Sequence, residues 1–207
     1  MLPRLYAILD AALFPDGRSL LKAADELATA GVTFLQYRDK SGNARQMLEH
    51  ALELKRLVGS RVRLMMNDRA DLCVAADFDG LHLGQDDLSP EAARRIIGTA
   101  FHGKTRWLGV STHNPSQLAQ ADRAPADYLA IGPVFATMSK ANPDPVVGLD
   151  GVRRARELTR KPLVAIGGIT RANARSVIDA GADSIAVISD LLRDPGKSAE
   201  EFLRILG

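Results

Sequence analysis

The sequence predicts an α/β fold, a (β/α)8 barrel built by residues 1–207 as one domain, and three observations carry that expectation. Short apolar runs of strand character alternate with helical stripes along the whole chain, eight of each. Alternating βα units with short connections build a parallel sheet, and eight of them favour a closed barrel over an open doubly wound sheet. The strand runs are nearly continuously apolar, as expected of strands covered on both faces. The last two runs, 162–168 and 184–189, stop at Gly167-Gly168 and at Ser189 and then meet helix signals at 171–179 and at 190–192 with 197–206. Glycine lets a ligand reach the backbone and a helix start offers free N–H groups, so two such turns side by side predict a phosphate cup.

Each element has its own signal. The first strand is 5–10, followed by a helical stripe of Leu20, Ala24, Leu27 and Ala28 that stops at Gly31. The second strand is 33–38, and Met47, Ala51, Leu54 and Val58 mark the next helix, closed by Gly59. A third strand over 62–67 precedes a short helix through Ala76, and 80–84 is a brief fourth strand. Ser89 and Pro90 read as N-cap and first turn of a helix to Ile97. Strands at 107–111 and 128–134 flank a helix over 115–121, capped by Thr112 or Asn114. A long polar stretch, 135–148, carries Pro143 and Pro145 and precedes a helix over 149–159. No linker, low-complexity tract or charge block divides the chain.

Composition narrows the function classes. A net charge of +2 is too small to argue for nucleic acid or an anionic membrane. No apolar run approaches a membrane span, and the run at 5–9 ends in Asp10, unlike a signal peptide. The single cysteine, Cys73, reads as a small buried hydrophobe, which suits a reducing cytoplasm. Oligomeric state is not legible, and a homo-oligomer stays open.

A barrel collects its chemistry at the C-terminal ends of its strands. Alternation after the second strand puts Gln36, Arg38 and Lys40 on one side and Tyr37 and Asp39 on the other, and the first three suit a polyphosphate. Asn67 and Asp68 end the third strand, and His82 to Asp87 end the fourth. One carboxylate from each loop suits Mg²⁺ with substrate phosphates. The competing readings are an N-cap for Asp68, a charged turn for Asp86 and Asp87, and a core role for His82. Ser111, Thr112 and His113 follow the fifth strand, where helix capping is an equal reading. Thr137, Ser139 and Lys140 open the long loop and suit a phosphate clamp or lid. No Ser-His-Asp set, Cys/His metal spacing, P-loop or dinucleotide motif is present.

In combination these motifs resemble the thiamine phosphate synthase family from Leu5 to Leu192. They are Gln-x-Arg-x-Lys at 36–40, Asn-Asp at 67–68, His-x-Gly-Gln-x-Asp at 82–87, and Ser-x-His at 111–113. Gly-Pro-Val-Phe-x-Thr-x-Ser-Lys at 132–140, Gly-Gly-Ile at 167–169 and Val-Ile-Ser at 187–189 complete them. The resemblance implies a transferase that joins a pyrimidine diphosphate to a thiazole phosphate, giving thiamine phosphate and pyrophosphate, with Mg²⁺. It implies that Arg38, Lys40, Asn67, Ser111 and Lys140 contact the pyrimidine diphosphate, with Gln36 near its ring. It further implies Asp68 and Asp87 on the metal, and Thr137, Ser139, Gly168, Ile188 and Ser189 on the thiazole phosphate. Ala136 and Ser139 depart from proline and threonine in many relatives. A thiazole tautomerase-like isomerase and a silent ligand-binding barrel are the alternatives. Pro133, where the tautomerase relative carries histidine, and the retained Asp68 and Asp87 weigh against the first. Retained Arg38, Lys40 and Lys140 weigh against the second.

Overall fold

A computed structural model describes residues 2–98, 105–137 and 144–207. Eight parallel strands close into a barrel in sequence order, with the first hydrogen-bonded to the last. They are β1 (Leu5–Asp10), β2 (Phe34–Arg38), β3 (Arg63–Asn67), β4 (Gly80–Leu83), β5 (Trp107–Thr112), β6 (Tyr128–Ile131), β7 (Leu163–Ile166) and β8 (Ser184–Val187). The helices are α1 (Gly17–Thr29), α2 (Ala44–Val58), α3 (Ala70–Ala75), α4 (Pro90–Ile97), α5 (Pro115–Arg123), α6 (Gly148–Leu158), α7 (Ala174–Asp179) and α8 (Pro195–Leu206). A one-turn 3₁₀ helix, Ala11–Leu13, follows β1.

The local signals act as the sequence predicts. Ser89 accepts from Ala92 N at the start of α4, and Asn114, not Thr112, accepts from Gln117 N at the start of α5. Thr112 instead donates its hydroxyl to Ala130 O inside the sheet. Asp68 does not cap α3, whose N-cap is Arg69 without a side-chain bond.

Period-two alternation sorts the strand side chains into two cores. Leu5, Ala7, Leu9, Leu35 and Tyr37 face the helices, whereas Tyr6, Ile8, Phe34, Met65, Tyr128, Val164 and Ala186 fill the barrel. Each apolar side chain so buried contributes about 1.5–3 kcal/mol. Within the barrel Tyr6 and Phe34 rings lie 4.3 Å apart, and Trp107 and Tyr128 pack edge-on or tilted around them. This aromatic floor plugs the barrel below the strand ends. Gly109 makes room for it: a Cβ there would lie 2.0 Å from Tyr128 Cζ. A strand glycine often marks such a close approach.

Three strands end two or more residues before their expected bounds. β6 ends at Ile131, not Val134, because Pro133 has no N–H to give the ladder. β7 ends at Ile166, because Gly167 and Gly168 turn to φ +101° and +63°. β8 ends at Val187. The helix expected from 171 begins only at Ala174, after a turn closed by Asn173 N and Ala174 N on Thr170 O. The stretch 190–192 is a turn folded on Ile188 O, which accepts from Leu191 N and Leu192 N, and α8 starts at Pro195. The cup is therefore built from irregular turns, and no helix N-terminus abuts Gly168 or Ser189. Among the described residues no helix is long and apolar enough to cross a membrane.

Candidate active site

A cavity of about 520 Å³ opens at the C-terminal ends of the strands, above the aromatic floor. Eight of the residues that the resemblance assigns to the substrates line it: Gln36 and Arg38 of β2, Asn67 of β3, Ser111 of β5, Thr137, Gly168, Ile188 and Ser189. Tyr37 and Asp39 point the other way, as alternation requires, and Tyr37 donates to Asp39. Ser139 and Lys140 lie outside the described residues.

Lys40, Asp68 and Asp87 sit beside the cavity on three successive loops. Lys40 Nζ bonds Asp68 Oδ2. Asp68 adopts φ +61°, a left-handed conformation that Asp tolerates better than most residues, with its N–H on His82 O at 2.8 Å. Burial, and then the hydrogen bond and charge of Asp87, push the Asp68 carboxyl up to about 6, with Lys40 pulling against them. Asp87 also closes its own turn, accepting from Gly84 N at 2.7 Å. The charged-turn reading of Asp87 thus holds alongside its proximity to Asp68.

The donor set suits a hard cation. Two carboxylates share one patch, where burial and then Asp87 raise the Asp68 carboxyl above its ordinary range, and a cation between them would relieve that repulsion. Among the described residues no group of three or more His, Cys, Asp or Glu gathers as a metal cage. Mg²⁺ ordinarily takes only one or two carboxylates, with water and substrate phosphate completing its shell. Next to Asp68, the buried Asn67 Nδ2 has no hydrogen-bond partner. The residue lines the cavity, while this nitrogen itself is closed off from solvent, and an unmade hydrogen bond of a buried amide is costly.

Tyr6, Asp10, Tyr128, Arg171, Asp190 and Arg193 carried no separate sequence signal, whereas His82 and His113 belong to the motifs at 82–87 and 111–113. Asp10 ends β1 and holds Arg38 in an ion pair, so the guanidinium is aimed across the mouth. Tyr6 and Tyr128 lie within apolar runs yet place hydroxyls under the cavity. His82 bridges Tyr128 and Ser111, the core role that competed with ligation. His113 Nδ1 lies 2.6 Å from Gly132 O and its Nε2 3.3 Å from Asp144, linking both ends of the 132–147 connection. Asp190 grips Arg171 through two oxygens, and Arg171 also reaches Glu201, tying the turns after β7 and β8 together. Arg193 adds a cation to that wall.

Comparison with known proteins adds an independent line. The family model described as thiamine monophosphate synthase matches residues 5–191. A thiamine-phosphate synthase of Koribacter versatilis (strain Ellin345) is 62% identical over 208 aligned residues, covering 99% of this chain and 96% of the relative. One from Chloroflexus aurantiacus is 46% identical, covering 98% and 92%. Among solved structures, a thiamine phosphate pyrophosphorylase from Pyrococcus furiosus superposes with a TM-score of 0.82 at 34% identity, covering 98% of this chain and 95% of that one.

Proposed function

From the premise that the chain belongs to the thiamine monophosphate synthase family, we propose that the cavity is the active site of a thiamine-phosphate synthase. The reaction joins 4-amino-2-methyl-5-hydroxymethylpyrimidine diphosphate to 4-methyl-5-(2-phosphoethyl)thiazole, releasing pyrophosphate. The observation that carries this reading is the gathering of Gln36, Arg38, Asn67, Ser111, Thr137, Gly168, Ile188 and Ser189, drawn from separate strands, around one cavity.

The chemistry divides the site into two ends. The diphosphate lies toward β2 and β3, where Arg38 and Lys40 supply charge and Asn67 ends β3 at the cavity wall. Lys140, at the start of the long loop, adds a third cation to the leaving oxygens. Asp68 and Asp87 would hold Mg²⁺, which when bound would neutralise further charge on the departing pyrophosphate. The thiazole phosphate lies against the turns after β7 and β8, held by backbone N–H groups of Gly168, Ile188 and Ser189 with Thr137 and Ser139. The aminopyrimidine ring donates electrons to its methylene as the C–O bond breaks, so departure can precede attack by the thiazole nitrogen. The residues then need only hold the two partners in line and meet the developing charge, and no strong general base is called for.

The retained Asp68, Asp87 and Pro133 favour this over a tautomerase, and retained Arg38 and Lys40 over a silent barrel. A protein of this kind works on small molecules in the cytoplasm, and its one cysteine is a buried thiol that donates to Gly80 O. The test is to mix both substrates with Mg²⁺ and measure pyrophosphate and thiamine phosphate. Binding of both substrates without either product would leave the silent barrel as the better reading.

A further inference from the structure

A continuous hydrogen-bond chain crosses the barrel beneath the cavity. Gln36 Nε2 lies 2.7 Å from Tyr6 Oη, Tyr6 Oη 3.0 Å from Tyr128 Oη, Tyr128 Oη 2.9 Å from His82 Nδ1, and His82 Nε2 2.8 Å from Ser111 Oγ. Its two ends, Gln36 and Ser111, both line the cavity. Tyr6 and His82 also touch the cavity, Tyr128 lies fully buried below it, and each link is direct.

Counting hydrogens gives the chain a direction. An amide nitrogen only donates, so Tyr6 Oη accepts from Gln36 and its single hydrogen goes to Tyr128. Tyr128 then spends its hydrogen on His82 Nδ1. That nitrogen is an acceptor, so the ring carries its hydrogen on Nε2 and donates it to Ser111 Oγ. Ser111 already accepts there and has its own O–H to give to the cavity. Reversing the Tyr6–Tyr128 or the Tyr128–His82 link would make a buried tyrosine oxygen accept twice and leave its own hydrogen with no acceptor shown among the described residues, the cost of an unmade hydrogen bond. Burial raises both tyrosine hydroxyls well above their ordinary range, so they remain phenols able to relay a hydrogen.

We infer that this chain fixes the Nε2-protonated tautomer of His82 and presents Ser111 to the substrate as a hydrogen-bond donor, with Tyr6 and Tyr128 as positioning residues. The inference rests on the proposed function for the identity of the substrate group. A diphosphate offers only acceptors, and the outward O–H is the polarity it needs. The opposite polarity would turn Ser111 lone pairs toward an anion. Gly109 is part of the device, because any side chain there would displace the Tyr128 ring.

The two tyrosines are not equivalent, and that makes the inference testable. Tyr6→Phe removes a donor to Tyr128 but leaves Tyr128 free to donate to His82. Tyr128→Phe removes the donor that Tyr128 gives His82 Nδ1. Each change deletes one oxygen, and thermal melting would verify that both variants fold. Long-range ¹H–¹⁵N spectra of the imidazoles, with the His82 signals assigned by their loss in His82→Gln, report the tautomer in the ligand-free protein. We expect Nε2–H in wild type and in Tyr6→Phe, and a shift toward Nδ1–H in Tyr128→Phe. With both substrates and Mg²⁺, Tyr128→Phe should lower kcat/KM for the pyrimidine diphosphate by about tenfold, the scale of one hydrogen bond. KM for the thiazole phosphate should not move. Nδ1–H in wild type, or an identical tautomer in wild type and Tyr128→Phe, would overturn the inference. The spectra do not depend on turnover, so a protein that fails to condense the substrates would sink the proposed function while leaving the tautomer result to stand or fall alone.

Discussion

Lys40 donates a hydrogen bond to the carboxylate of Asp68, across the mouth from the β2 loop to the β3 loop. Sequence motifs assign the two to different partners, the cation to a diphosphate and the carboxylate to a metal. In the structure the two pair with each other. Lys40 is 54% exposed at its side chain and able to swing away, whereas Asp68 is held at 16%. Arrival of the metal–diphosphate pair would exchange partners without leaving either charge unpaired.

Asp68→Ala and Asp87→Ala should each lower condensation by about a hundredfold or more, the scale of a metal's charge stabilisation. Removing both should cost little beyond either alone, because groups acting through one ion are not additive. Pyrophosphate release against Mg²⁺ concentration measures this. Wild-type turnover and Mg²⁺ dependence in either single variant would show that carboxylate is not a ligand, and for Asp87 would leave its bond to Gly84 N as its whole role.

The Asp68–Asp87 pair also sets a pH dependence of stability in the metal-free protein. Asp68 is pushed up to about 6, first by burial and then by Asp87, against 3.8 as its ordinary value. The folded state therefore holds more protons than the unfolded chain between about pH 4 and 6, and stability falls as pH rises through that window. Asp87→Asn should flatten this slope, and Mg²⁺ should do the same. Chemical denaturation with chelator at pH 4.5, 5.5 and 7 reads it, and an equal slope in Asp87→Asn would remove Asp87 as a cause.

Gly168 should tolerate no side chain. Its φ of +63° disfavours one, and a Cβ would fall 2.5 Å from Ala136 O and 2.8 Å from Phe135 Cβ. Gly168→Ala should thus push on the segment leading to Thr137 and lower stability by about 1–3 kcal/mol. On the proposed assignment of the thiazole phosphate to this turn, affinity for it should drop more than affinity for the pyrimidine diphosphate. Calorimetric titration of both ligands checks this, and equal losses would detach Gly168 from the phosphate.

Cys73 should be inert in the folded protein. Burial pushes its thiol up to about 12, and the side chain donates to Gly80 O at 3.2 Å. The thiolate is the reactive form, so iodoacetamide at pH 8 should label it only after denaturation. Rapid labelling of the native protein would contradict this burial.

The sequence alone determined the barrel, the element order and most of the cavity's polar lining. Those follow from local rules: period two sorts each strand, glycines and caps end each helix, and a parallel barrel sends every strand end to one mouth. Gln36, Arg38, Asn67, Asp68 and Ser111 were legible because each follows an apolar run. Tertiary structure decided what those rules do not encode. Tyr6 and Tyr128, 122 residues apart, read as core side chains until barrel closure brings their hydroxyls together. Asp10 became the partner of Arg38 only through pairing of β1 with β2. The turns after β7 and β8 line one cavity but lack the expected helix starts, since hydrogen bonds to Thr170 O and Ile188 O favour turns where propensity favours helix. Alternation fixes which way a side chain points, but only closure fixes what it meets.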